Sequence, residues 1–156
     1  PYPDVSSNWD KYPLKGMITE FYAGTWGEVA YYVDVVSNSK TSDFYFDPAV
    51  GTFIKFNVTG ESGSNGFCRV AIPKNLLWVE DGWTIYVGGV QVMNYAIIPD
   101  KNYTYMYFTY SHSIKNVEIR GTHAIPELSI YIFPLFMVVG LVLVVITRIL
   151  KNKILE

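Results

Sequence analysis

The side chains best suited to catalysis or metal binding are few in this sequence and widely spaced. His112 and His123 are eleven residues apart, and Cys68, the only cysteine, lies far from both. Zinc sites group such ligands at short intervals, so this spacing indicates solvated or buried structural histidines. A single cysteine excludes an internal disulfide, and the alternating sequence around Cys68 (FCRVAI) predicts a small buried hydrophobic side chain.

Two acidic pairs and one glycine-rich loop complete the candidates for ligand chemistry. Asp43 with Asp47 and Glu80 with Asp81 fall short of the dense acidic loops that bind Ca²⁺, so we interpret them as turn residues. The loop 60–66 (GESGSNG) lacks the Gly-Lys-Ser/Thr and the following helix of a phosphate-binding loop. No serine lies in a nucleophile elbow. The sequence therefore predicts no enzyme, no cofactor and no metal.

Two segments fit the N-glycosylation sequon. They are Asn57-Val58-Thr59 and Asn102-Tyr103-Thr104. Asn102 lies where a loop enters a predicted strand, which makes it the better acceptor, whereas Asn57 lies on the polar face of its strand.

Residues 103–110 (YTYMYFTY) form the most unusual segment. In a strand, Tyr103, Tyr105 and Tyr107 share one face, because successive side chains point to opposite sides. These rings form either a candidate interaction face for sugars or a partner protein, or one side of a sandwich strand that neighbouring loops partly cover. The second interpretation is the commoner outcome for such a strand.

The elements that would position these groups are short strands. Thirteen Tyr, nine Phe and four Trp favour β-structure. Gly88-Gly89 predicts a hairpin turn, and residues 73–78 (PKNLLW) allow a single helical turn. We predict strands at 17–23, 28–36, 43–46, 52–58, 67–72, 83–87, 90–97, 103–110 and 115–120. Many short strands without a long amphipathic helix predict an all-β, immunoglobulin-like antiparallel sandwich.

An apolar run near the C-terminus predicts a single membrane anchor. Residues 130–147 (IYIFPLFMVVGLVLVVIT) carry no charge and no polar face, which is typical of a transmembrane helix. Arg148, Lys151 and Lys153 follow at once, so the positive-inside rule places the tail in the cytoplasm and the β-domain outside the plasma membrane. The predicted organisation is a linker 1–16, a sandwich 17–122, a juxtamembrane linker 123–129, a helix 130–150 and a tail 151–156.

Several segments in order resemble one family. They are FNVTGESGSNGFCRVAIPKNLLW, WTIYVGG, YTYMYFTYSHSIKNVEIRGTHAIPEL and the apolar helix with its basic tail. Residues 43–153 resemble the C-terminal module of archaeal cell-surface proteins with a PEF-CTERM-like anchor. Here Ile125, Pro126, Glu127 and Leu128 stand where that family has an I-P-E-F-P type motif. The resemblance implies a membrane-proximal stalk or display domain, and Leu128 in place of Phe favours retention of the helix over sortase processing.

Composition limits the partners. The formal net charge of −2 and the lack of a basic stripe argue against nucleic acid. The implied partners are the lipid bilayer and other surface or membrane proteins or glycans. The leading hypothesis is a surface structural and display protein. The alternatives are an accessory single-pass subunit of a membrane complex, and a subunit of a surface layer or filament.

Overall fold

Twelve β-strands and no helix make up residues 16–125, the part of the chain that the structure, a computed structural model, describes. The strands are rich in β-branched and aromatic residues, which fit a pleated, half-buried surface. They form two antiparallel five-stranded sheets and one two-stranded ribbon. The predicted all-β, antiparallel class is therefore confirmed.

The first sheet, sheet A, has the order β1-β2-β5-β10-β9. Its strands are β1 (Met17–Trp26), β2 (Val29–Ser37), β5 (Asn65–Pro73), β9 (Tyr95–Pro99) and β10 (Tyr103–Ser111).

The second sheet, sheet B, has the order β3-β4-β11-β7-β8. Its strands are β3 (Lys40–Phe46), β4 (Phe53–Thr59), β7 (Thr84–Val87), β8 (Val90–Gln91) and β11 (Lys115–Arg120). The ribbon pairs β6 (Leu77–Trp78) with β12 (His123–Ala124), immediately after the predicted 17–122 range.

One apolar core joins the inner faces of the two sheets, as in a β-sandwich. Sheet A contributes residues such as Val35, Val70 and Phe108, and sheet B contributes residues such as Phe56 and Ile119. All five are 0–1% exposed. Their alternation along each strand is the period-two pattern that directs one face of a sheet inward.

Positive backbone dihedrals close two hairpins. Gly88 and Gly89 have φ of 61° and 79°, which confirms the predicted primed turn between β7 and β8. Gly27 and Glu28 (φ 55° and 67°) close the β1–β2 hairpin in the same way. The predicted strand 17–23 ended too early, because a bulge between Tyr22 and Gly24 lets β1 continue to Trp26.

Two further local predictions differ from the structure. Residues 73–78 form a tight turn followed by β6, with no helix, because Leu76 donates its N–H to Pro73 O and Leu77 then pairs in the ribbon. The predicted strand 90–97 is divided between β8 and β9, which belong to different sheets. An apolar sequence run is equally compatible with one strand or with two strands that change sheets.

The described chain enters and leaves the sandwich at opposite ends. Gly16 lies against Ser37, which pairs with Cys68 near the start of β5. At the far end of β5, a turn follows Pro73, and Ile125 donates its N–H to Leu76 O at 2.8 Å. Cys68 and Pro73 are five residues apart along β5, so about 17 Å of strand separates these ends, at about 3.4 Å per residue.

Candidate functional site

The outer face of sheet A is aromatic. Tyr22 on β1 and Tyr32 on β2 pair across strands with ring centroids 5.6 Å apart. On β10, Tyr103 and Tyr105 lie 6.1 Å apart, and Tyr107 stacks on Phe67 at 6.0 Å. The face that the sequence predicted for the β10 tyrosines therefore joins a larger set of rings from neighbouring strands.

The three predicted tyrosines are not equally accessible. Tyr105 is 4% exposed, and Tyr103 and Tyr107 are half-buried. The Arg69 guanidinium lies 5.0 Å from the Tyr105 ring centroid and is itself buried, at 2% exposure. This cation–π pair occupies the centre of the outer face of sheet A. The accessible aromatic surface lies at the margins of that face, as at Tyr32.

The outer face of sheet B has different chemistry. Lys55 Nζ lies 3.0 Å from the carboxylate of Glu118, which also accepts a hydrogen bond from Arg120. Burial opposes ionisation of Glu118, but these two hydrogen bonds outweigh it and lower the pKa of the carboxyl group. The Asn57 amide donates to Asp43 at 2.9 Å. These side chains of sheet B satisfy one another, as expected of a face turned to solvent.

A cleft of about 440 Å³ opens on the sheet A side, at the end where the described chain leaves. We call it the tyrosine cleft. Tyr32, Tyr103 and Tyr105 line it together with the acidic pair Glu20 and Asp34. The turns at either side add basic and amide side chains, namely Lys74, Asn75, Lys101 and Asn102. Its size and mixture of rings with a few polar groups are typical of small-ligand sites.

The two carboxylates of the cleft face each other across strands. Glu20 and Asp34 are direct partners in the β1–β2 register. Within residues 16–125, neither carboxylate accepts a hydrogen bond or joins an ion pair. Burial, followed by the charge of Glu20, raises the pKa of Asp34. Like charges directly opposite each other destabilise a sheet, so folding alone does not explain this pair.

Replacing Asp34 by Asn is expected to stabilise the protein at neutral pH by about 0.2–1 kcal/mol, the range for cross-strand charge pairs. The pKa of Asp34 is raised in the folded state. Asp34 therefore contributes favourably to the free energy of unfolding below the ordinary pKa of 3.8, and this contribution is lost as the pH rises. Urea unfolding at pH 7 and pH 3 measures this difference. The advantage of Asp34→Asn should disappear at pH 3, and an equal advantage at both values would contradict the charge argument.

A second cleft lies on the other side of the turn formed by Lys74 and Asn75. It has about 560 Å³ and is lined by Trp78, Val79, Trp83 and Thr104, and it shares Lys74 and Asn75 with the tyrosine cleft. Trp78 is held by the ribbon, where its ring stacks on His123 at 5.4 Å. Two neighbouring clefts with aromatic walls therefore flank one exposed turn.

A buried polar cluster lies at the opposite end of the sandwich. His112 places Nε2 2.7 Å from Ser39 Oγ and Nδ1 2.5 Å from Ser64 Oγ. Ser39 Oγ also lies 2.7 Å from the Tyr110 hydroxyl group. Ser37 donates to Phe67 O at 2.6 Å and accepts the N–H of Ser39. We call His112, Ser39, Ser64 and Tyr110 the histidine cluster.

Counting protons gives the direction of each bond in the histidine cluster. Ser64 donates its hydroxyl hydrogen to Glu61 O at 2.7 Å, so it accepts from His112 Nδ1. The Nε2 atom of a neutral imidazole must then accept from Ser39, and Ser39 in turn accepts from Tyr110. His112 Nε2 accepts from Ser39 as a general base would, but Ser39 is 1% exposed and its Oγ is also bonded to Tyr110, so this hydroxyl group is enclosed by the fold. The arrangement joins the loop 60–66 to the core.

Cys68 lies beside this cluster as an inert thiol. Its side chain is fully buried, as the sequence predicted, and its sulfur lies 3.6 Å from Ser37 Oγ and from the Tyr110 hydroxyl group. Burial raises the pKa of Cys68 from 9.0 to about 11, and these hydrogen bonds offset part of the effect. Burial also raises the pKa of Tyr110.

We expect the free energy of unfolding to fall between pH 9 and pH 11. Both pKa values are raised in the folded state, so their favourable contributions are complete below the unfolded values and are lost as the pH rises. The Cys68 part is about 2–3 kcal/mol, since each pKa unit corresponds to about 1.4 kcal/mol. Urea titrations at pH 8 and pH 10.5 test this. Cys68→Ala should reduce the difference between the two values, and an unchanged difference would contradict it.

The structure places the two sequon asparagines in different settings. Asn57 lies within β4, where its amide donates to Asp43 and its oxygen accepts from Asn116 at 3.3 Å. Asn102 lies in the exposed turn before β10, and among residues 16–125 the one bond to it is made by the N–H of Lys74 to its backbone carbonyl. The more accessible amide is thus at the rim of the tyrosine cleft.

Most residues of the predicted anchor lie outside the described range. Ile125 is half-buried against the core, whereas Pro126, Glu127, Leu128, Arg148, Lys151 and Lys153 are not described, nor is the predicted helix 130–150. A search of residues 16–125 finds no helix capable of crossing a membrane. It also finds no group of three or more metal-ligating side chains within this range.

Sequence reasoning missed the carboxylates of the tyrosine cleft. Asp34 lies in AYYVDVV and Glu20 in MITEFYA, and each is the only charged residue of its apolar stretch. Such an isolated charge within a strand was an available signal. Their pairing depends on the β1–β2 register, which the bulge and the position of the hairpin turn decide together.

Comparison with known proteins gives no further assignment. No protein-family model matches the chain, and no match was found among curated proteins or solved structures.

Proposed function

We propose that this protein is a membrane-anchored cell-surface protein without enzymatic activity, whose sandwich acts as a membrane-proximal stalk and interaction module. One observation carries the proposal. The described chain enters beside Ser37 and leaves beside Leu76, at opposite ends of the sandwich. This geometry separates the first described residue from the last one along the sandwich, as a spacer requires.

Two sequence features supply the membrane part of the proposal. The uncharged run 130–147 has the length of a bilayer-spanning helix, and the basic residues Arg148, Lys151 and Lys153 favour a cytoplasmic tail. The resemblance to archaeal surface proteins agrees with this location. The assignment to immunoglobulin-like sandwiches belongs to the same proposal, and it is supported by two antiparallel sheets whose connections cross from one sheet to the other.

The contrast between the two outer faces supports a role in interaction. On sheet B, the Glu118 carboxylate is bonded by both Lys55 and Arg120. Sheet A presents tyrosine rings, and its Glu20 and Asp34 carboxylates accept no hydrogen bond from residues 16–125. Asn102, at the rim of the tyrosine cleft, is the sequon at which we propose glycosylation in a glycosylating host.

Membrane extraction and protease protection of the full chain test the proposal. Cells producing the protein with an epitope inserted after Ser62, in an exposed loop, and a tag after Glu156 are washed with alkaline carbonate. The protein should stay in the membrane pellet, and external protease should remove the epitope but spare the tag. Val142→Arg with Val144→Arg, which interrupts the apolar run, should release it. Release of the unaltered chain, or protection of the epitope, would overturn the proposal.

One observation favours assembly into a surface layer as a second candidate function. Met17 and Ile18 on the edge strand β1 are 58% and 63% exposed. An apolar edge strand is a template for pairing with another chain. Sedimentation of the full chain in detergent over a hundredfold concentration range should then show growing oligomers, which Ile18→Lys abolishes. A monomer at all concentrations would exclude this candidate.

A further inference from the structure

We propose that the tyrosine cleft binds a neutral saccharide, with the rings of Tyr32 and Tyr103 against the sugar and the Asp34 and Glu20 carboxylates accepting its hydroxyl groups. This inference goes beyond the proposed function and does not depend on membrane attachment.

The charged side chains that line the tyrosine cleft are equal in number for the two signs. Two carboxylates, Glu20 and Asp34, line it together with two ammonium groups, Lys74 and Lys101. A site for a cation or an anion would carry an excess of the opposite sign. The balanced set instead offers acceptors and donors to a ligand that is polar and uncharged, and the amide of Asn102 can both donate and accept.

The charged groups of the cleft have no bonding role within the described part of the chain. Within residues 16–125, the carboxylates and the two ammonium groups form no hydrogen bond or ion pair. On sheet B, by contrast, Lys55 and Glu118 bond to each other at 3.0 Å. Glu20 and Asp34 also face each other as like charges, at a cost to stability. Polar groups that lie in a cleft although they lower the stability of the fold are typical of binding sites.

The aromatic surface of the tyrosine cleft suits a sugar ring in shape and polarity. A ring of tyrosine provides a flat apolar face beside a polar hydroxyl group, which suits the apolar C–H face and hydroxyl rim of a pyranose. Tyr32 is 42% exposed, so its ring can be covered by a ligand. The adjoining cleft at Trp78 shares the turn Lys74–Asn75. An oligosaccharide could therefore continue across this turn from one cleft into the other.

Saturation-transfer NMR on the full chain in detergent micelles tests the proposal. The protein is produced in a host that does not glycosylate Asn102, so that no attached glycan competes. The probes are neutral hexose and N-acetylhexosamine tetrasaccharides, a hexuronic acid tetrasaccharide, a tetralysine peptide and Ca²⁺. We expect transfer to at least one neutral tetrasaccharide. If no neutral probe shows saturation transfer, or if only the charged probes bind, the proposal is overturned.

Variants distinguish the cleft from other surfaces. Tyr32→Ala and Asp34→Asn should each weaken binding at least tenfold. Tyr45→Ala is the matched control, because Tyr45 is also 42% exposed but lies on sheet B, and it should change binding less than twofold. Asp34→Asn is expected to fold at least as stably as the parent, so loss of binding in this variant reports on the site and not on unfolding. Equal effects of Tyr32→Ala and Tyr45→Ala would overturn the assignment.

Discussion

Replacing His112 by Ala is expected to destabilise the protein by about 3 kcal/mol, because the residue is buried, at 8% exposure, and both of its ring nitrogens are bonded. The imidazole makes hydrogen bonds to Ser39 and Ser64, and it is packed edge-on to Tyr110 at 5.8 Å. Removing one partner of a buried hydrogen bond costs about 1–3 kcal/mol, and the emptied volume adds to this. Ser39, at 1% exposure, would be left with a buried and partly unsatisfied hydroxyl group.

Denaturant unfolding of the full chain, followed by tryptophan fluorescence, measures this loss. The matched control is His123→Ala, because His123 is a half-exposed histidine whose ring stacks on Trp78. Its loss should cost about 1 kcal/mol, the value of one aromatic contact. Equal destabilisation by the two substitutions would show that the histidine cluster contributes nothing beyond ring packing.

Replacing Gly60 by Ala is expected to cost about 1–3 kcal/mol, the range for overpacked sites. A Cβ atom at this position would lie 2.5–2.7 Å from the His112 ring. Both nitrogens of that ring are bonded, so it cannot move aside without breaking the cluster. The backbone of Gly60 does not require positive φ, so the effect comes from space alone.

A double variant isolates this cause. In the His112→Ala background the obstructing ring is absent, so Gly60→Ala should become nearly silent. The two effects are then strongly non-additive, as expected of residues in contact. Full additivity would mean that alanine at position 60 acts through the backbone and not through His112.

Much of the fold could be predicted from local sequence signals. Gly88-Gly89 predicted its hairpin, because two consecutive positive φ values strongly favour glycine. The strand 115–120 was predicted with the bounds that the structure shows, since polar turns flank it on both sides. The alternation in 103–110 separated Tyr105 from the core residues Met106 and Phe108 correctly. These features depend on interactions between residues close in sequence.

Features that depend on distant residues could not be predicted in this way. The histidine cluster joins Ser39 from the β2–β3 turn, Ser64 from the glycine-rich loop and Tyr110 from β10. No spacing in the sequence brings these three segments together. The sequence predicted only a loop at 60–66, whereas in the structure Gly60 provides the space that the His112 ring occupies.

Local sequence was sufficient to establish the all-β class, the strand periodicity and the burial of Cys68, because backbone conformation and side-chain alternation are local properties. The location of the unused polar groups depends instead on the tertiary fold. Strand order and register placed Glu20 opposite Asp34 and beside the tyrosines of β10, and they paired Lys55 with Glu118 on the other sheet. A one-residue change of register would reverse every such placement, since it turns each side chain to the opposite face.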